Sequence, residues 1–119
     1  TNPITRLAAI HAVGKIGPDA SEAIPLLVET IRQTRNHDKR ILVACNNALL
    51  GMGQEIVPYI IPLLKDDDWE MRRGGAWLLG KVGPDAKDAV PALTEALNDT
   101  NAAVRMKAAE AIKKIVGGQ

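Results

Sequence analysis

The stretch GPDAKDAVPALTEALNDTNAAVRMKAAEAIKKIV, Gly83–Val116, decides how this chain folds. In its second half Val104, Ala108, Ala111, Ile112 and Ile115 recur at i, i+4, i+7, i+8 and i+11. That spacing draws one face of an α-helix and leaves no two-residue alternation for a strand. The first half opens on GPDA: Gly83 suits the left-handed position after a helix, Pro84 cannot continue that helix, and Asp85 can accept at the next N-terminus. The stretch therefore reads as two helices joined by a turn, and it recurs. Pro91 has counterparts at Pro58 and Pro25, 33 residues apart each time, each inside an apolar run that follows a glycine. A fixed period of this length marks an array whose units pack only on their neighbours.

Four segments align without gaps on the second helix of the unit: NPITRLAAIHAVGKIG (2–17), DKRILVACNNALLGMG (38–53), DWEMRRGGAWLLGKVG (68–83) and NAAVRMKAAEAIKKIV (101–116). These are the B helices, and Asn2, Asp38, Asp68 and Asn101 stand where a side chain can cap each one. Three A helices are expected between them, around Ala20–Gln33, Ile56–Lys65 and Ala86–Asn98. Asp19 with Glu22 fits a capping box. Pro25, Pro58 and Pro91 fall near the A-helix starts, where a missing N–H matters least, or they kink the helix. The middle unit has a shorter linker, GQEIVP, and a longer loop, QTRNHD, and the two changes cancel. The expected organisation is one domain over 1–119, with a B helix at 2–17 and repeats at 18–53, 54–83 and 84–117. Because the chain opens halfway through a repeat, it reads as a piece of something longer.

With 119 residues there is material for one continuous core. The only aromatics are Tyr59, Trp69 and Trp77, so that core must be built from Ala, Leu, Ile and Val. A net charge of +1 gives no global field toward nucleic acid or anionic lipid. Cys45 is the single cysteine, which excludes an internal disulfide, and its helix position marks it as a small core residue. There is no apolar run of transmembrane length and no signal-peptide pattern.

Antiparallel A and B helices of this length resemble HEAT repeats, and the spellings GKIGPDA, GKVGPDA and DDDWEMRR resemble the HEAT-like subclass named after phycobilisome lyases. The resemblance covers the whole chain. It implies an all-α, right-handed superhelix of antiparallel helix pairs, about three and a half repeats and seven helices. HEAT repeats commonly place an Asp in the A–B turn and an Arg six residues on, which here gives Asp66 with Arg72 and Asp99 with Arg105. Recurring once per unit, these read as scaffold, a carboxylate capping a turn and an Arg bridging to it. The second repeat has Asn36 and Leu42 instead, and the ladder is expected to break there.

The resemblance also implies that the B helices line the concave side. Helical spacing then gives three rows across it: His11, Asn47, Trp77 and Glu110; Leu7, Val43, Arg73 and Met106; Lys15, Gly51, Lys81 and Lys114. Trp77 is the most informative of these. An exposed Trp is typical of an interface anchor, although Trp77 can equally fold over Gly74 and Gly75 to close the core. Trp69 is expected to pack against the preceding turn.

The expected function is a non-enzymatic protein-interaction scaffold working through these rows, with Trp77, Arg73, His11, Asn47, Leu7, Val43, Met106, Glu110, Lys81 and Lys114 as candidate contacts. The partner is another protein or another domain of the same chain, with self-association through the uncovered first helix as a further outcome. The subclass name raises a bilin lyase or pigment chaperone as an alternative. Arg72 and Arg73 beside the two Trp residues raise a nucleic-acid groove, against which stand Glu110 and the near-neutral charge. No catalytic triad, phosphate loop or metal set is legible: His11 and His37 lie on different elements with no third ligand at suitable spacing. No cofactor is expected.

Overall fold

The computed structural model describes residues 23–34 and 37–117. Every element among the described residues is helical. The chain separates into two compact units, Thr1–Ile56 and Val57–Gln119. The expected first B helix, with Leu7, His11 and Lys15, lies outside the described residues, as do Asp19, Glu22 and Asn36.

In the first unit, α1 (Ile24–Thr34) packs on α2 (Lys39–Gly51). α1 buries Ile24, Leu27, Ile31 and Thr34, and α2 buries Ile41, Ala44, Cys45, Ala48 and Leu49. Both sets follow the 3.6-residue period, and burying an aliphatic side chain of this size contributes roughly 1.5–3 kcal/mol. Pro25 is the second residue of α1, where its missing N–H has no helical partner to lose. Asp38 starts α2 by accepting from the Arg40 N–H at 3.0 Å. A 3-10 turn, Gly53–Ile56, follows α2.

The second unit begins with an element that differs from expectation. The A helix read over Ile56–Lys65 is a single α turn, Val57–Ile60, followed by a 3-10 segment, Ile61–Lys65. Pro58 and Pro62 explain the break, because two prolines four residues apart each remove a donor and crowd the preceding turn. α3 (Trp69–Val82) then runs from its cap, Asp68, which accepts from the Glu70 N–H at 3.0 Å, to Gly83 at φ 78. The expected helix over Ala86–Asn98 is likewise divided, into a 3-10 segment Gly83–Ala89 and α4 (Val90–Ala96). Asp85 falls inside that 3-10 segment. The residue before α4 is Ala89, which makes no side-chain cap bond, and Pro91 again stands second in the helix. α5 (Ala102–Gly117) completes the unit, capped by Asn101, whose side chain accepts from the Ala103 N–H at 2.8 Å.

α3 is the central helix of this unit, packed against both the 61–65 segment and α5. Small residues permit the approach. A Cβ at Gly75 would sit 3.0 Å from Leu63 Cβ, and one at Gly80 would sit 3.1 Å from Ala111 Cα. Opposite α3, α5 buries Val104, Ala108, Ala111 and Ile115, while Ile112, read as part of the same face, is only half-buried. The core is mainly aliphatic, with Cys45, Met52 and Met71 also buried. Tyr59 and Trp69 are exposed, Trp69 to 40%, and Trp77 is half-buried.

Candidate functional site

Two constellations in the second unit hold the polar residues singled out by the sequence. The first lies at the turns before α3 and α5. Asp66 accepts from the Asp68 N–H at 2.9 Å, and Asp99 does the same for the Asn101 N–H at 2.9 Å, so each carboxylate fixes the turn that starts a B helix. The Arg six residues on does not bridge to that carboxylate. Arg72 Nη1 donates to the backbone oxygen of Asp66 at 2.8 Å, while its Nε and Nη2 donate to the two carboxylate oxygens of Asp99 at 2.8 and 3.1 Å. The ion pair therefore spans one repeat to the next. Arg105 Nη1 donates to the Asp99 backbone oxygen at 2.7 Å, in the manner of Arg72 one repeat earlier.

Arg72 and Asp99 are largely buried, their side chains 15% and 10% exposed. Burial opposes ionisation of Asp99, but the Arg72 guanidinium, the Asn101 N–H and the nearby Arg105 charge outweigh it. Together they hold its carboxyl below the usual range. Such a bidentate, partly desolvated pair is worth far more than the exposed Lys65–Glu95 pair, 3.4 Å apart.

The second constellation is a notch between α3 and α5 lined by Ala76, Trp77, Gly80, Lys107, Glu110, Ala111 and Lys114. Gly80 has no side chain and Ala111 only a methyl, which leaves the space between the helices open. Lys81, one turn on from Trp77, holds its ammonium 5.6 Å from the ring centre, within cation–π range. Lys107 and Glu110 pair at 3.3 Å. The notch has a cavity volume of only about 10 Å³, far short of the several hundred that enclose a small molecule. It offers an indole beside charged groups of both signs, suited to the edge of a macromolecular contact.

Of the residues predicted from spacing, Trp77, Glu110 and Lys114 meet at this notch, with Lys81 over the Trp ring. Arg73 and Met106 are exposed on the same two helices, Met106 to 63%, but do not line it. On α2 of the first unit, Val43, Asn47 and Gly51 are all exposed. Leu7 and His11 lie outside the described residues. Lys107, which helical spacing places on the same solvent stripe as Met106, Glu110 and Lys114, also lines the notch. Among the described residues no group of three His, Cys, Asp or Glu side chains is placed to hold a metal ion. None of the described helices is long and apolar enough to cross a membrane.

A family model described as HEAT repeats matches residues 57–119, just over half of the chain. No curated protein matches the chain.

Proposed function

From the premise that this chain belongs to the HEAT repeat family, whose repeats are generally protein-interaction scaffolds, we propose that it binds a protein partner through the exposed face of its B helices, without catalysis of its own. The observation that carries this reading is Trp77, half-buried at a shallow notch, covered by Lys81 and flanked by Lys107, Glu110 and Lys114. An aromatic anchor with a charged rim is the composition of an interface hot spot. Arg73 and the exposed Met106 widen the surface on the same helices. In this reading Val43 and Asn47, and beyond them Leu7 and His11, extend it into earlier repeats of a right-handed array. That array comprises about three and a half repeats and seven helices over 1–119, of the subclass named after phycobilisome lyases.

The test is comparative capture from the source organism with the wild type, a Trp77→Ala/Arg73→Ala double variant, and a Lys87→Ala control on the 83–89 segment. The double variant is expected to lose partners at least about tenfold while keeping the wild-type circular dichroism. Retention of every wild-type partner by the double variant would sink the assignment. An absorbance shift with a linear tetrapyrrole, or low-salt DNA binding, would redirect it.

A further inference from the structure

Charge in the second unit is sorted around the notch. Arg73, Trp77 and Lys81 follow one another at four-residue steps on α3 and so share a face. Lys107, Glu110 and Lys114 do the same on α5 at i, i+3 and i+7. The rim thus carries Arg73 and three lysines against one acid, in a chain whose net charge is only +1. That acid, Glu110, is already answered by Lys107 at 3.3 Å. Lys65 pairs with Glu95 and Arg72 with Asp99. Among the described residues, by contrast, Arg73, Lys81 and Lys114 have no acid partner, and the Lys81 ammonium rests on the Trp77 ring.

These positions decide what can dock. A partner's cation finds the indole already engaged by Lys81 and meets the charges of Arg73, Lys107 and Lys114. A carboxylate finds cations without acids. The notch itself admits little: its cavity volume of about 10 Å³ holds roughly one water, so a small apolar side chain can lie over it and nothing larger enters. Arg73 and Lys81 are about 12 Å apart along the α3 axis. An extended segment covers that distance in about four residues, and its side chains at i, i+2 and i+4 face one way. A nucleic-acid backbone fits less well, because Glu110 lines the notch beside Trp77 where successive phosphates would pass.

We propose that the notch takes an acidic, extended segment of a protein partner, of the pattern acid-x-small-x-acid. The small residue lies over the close approach of Gly80 to Ala111. One flanking carboxylate meets Lys81 and Lys114, and the other meets Arg73 and Lys107. The inference rests on the reading of this notch as a protein-binding surface and adds the chemistry of what it binds. A second copy of the chain is a poor occupant. The rim paired with itself meets like charge, and Asp66 and Asp68 are engaged in fixing the turn before α3.

The experiment titrates the chain with two end-blocked peptides, one carrying Glu on either side of a central Ala at the proposed spacing, the other Lys in place of Glu. The acidic peptide is expected to bind, to shift tryptophan emission to the blue, and to weaken as salt rises. A Lys81→Glu/Lys114→Glu variant should bind it at least about tenfold more weakly and gain affinity for the basic peptide, with unchanged dichroism. Lys87→Glu, on the 83–89 segment, should leave both affinities as in the wild type. The proposal is overturned if the acidic peptide does not bind, if the double reversal leaves its affinity unchanged, or if the basic peptide binds the wild type equally well. Tighter binding of single-stranded DNA, or a dimer that the double reversal dissolves, would overturn it in favour of nucleic acid or a second copy. Peptide failure alongside partners lost by Trp77→Ala/Arg73→Ala removes the acidic motif alone; partners retained by that variant remove the surface itself.

Discussion

At Asp99 a single carboxylate serves two turns of the chain, accepting from the Asn101 N–H and from the Arg72 guanidinium. Removing the guanidinium strands a largely buried charge, so Arg72→Ala should destabilise the second unit by about 2–4 kcal/mol, read from urea midpoints. The pH dependence follows from the direction of the shift. The folded-state pKa of Asp99 lies below its ordinary value, so the stabilisation is complete above the unfolded pKa of about 3.9 and is lost as pH falls through the folded one. Asp99→Asn should therefore start less stable at neutral pH and lose less on acidification from about pH 5 to pH 2. An identical acid slope for variant and wild type would show that the pair carries no linkage. That Asp and Arg belong to the scaffold was readable from their recurrence. Which turn each Arg reaches was not, because a six-residue offset fixes a helix position and leaves the reach of a long side chain open.

Among the elements, α3 shows how glycine placement sets helix spacing. A methyl at Gly80 meets the backbone of Ala111 at 3.1 Å, and a helix backbone cannot give way as a side-chain tip can. Gly80→Ala is expected to cost about 1 kcal/mol net, the crowding exceeding the gain in helix propensity. Gly74 has nothing within 4 Å, so Gly74→Ala should instead gain up to about 1 kcal/mol. Thermal melts of the two variants check the opposite signs. The three B helices among the described residues were legible because their apolar spacing and Asx caps are local signals; Asp38, Asp68 and Asn101 cap as read. The two later A elements were legible in place but not in kind, whereas the first is the expected α-helix over its described part. Pro58 with Pro62 breaks the middle one into a turn and a 3-10 segment, and Asp85 gives way to an uncapped start at Ala89. Sequence period locates such a segment, whereas the local balance of α and 3-10 geometry depends on what each proline displaces.

Over the whole molecule, composition dictated the interior: with three aromatics and no Phe, the core of each unit is Leu, Ile, Val, Ala and Met, with Cys45 buried in the first. The candidate surface was only partly legible, since helical spacing gathers residues on one face of one helix. It does not say which of them a neighbouring helix will meet; Trp77 and Glu110 meet at the notch while Arg73 and Met106 stand clear of it. The location of the aromatics also governs what light reports about this protein. Tyr59, Trp69 and Trp77 all belong to residues 57–82 and none is in the core, so both indoles already sense water in the native state. Heating should shift the emission maximum to the red by less than a core indole would show, while the far-ultraviolet dichroism collapses. A partner closing over Trp77 should shift emission to the blue at constant dichroism. The intrinsic fluorophore is thus a poor witness to unfolding and a ready-made sensor of occupancy.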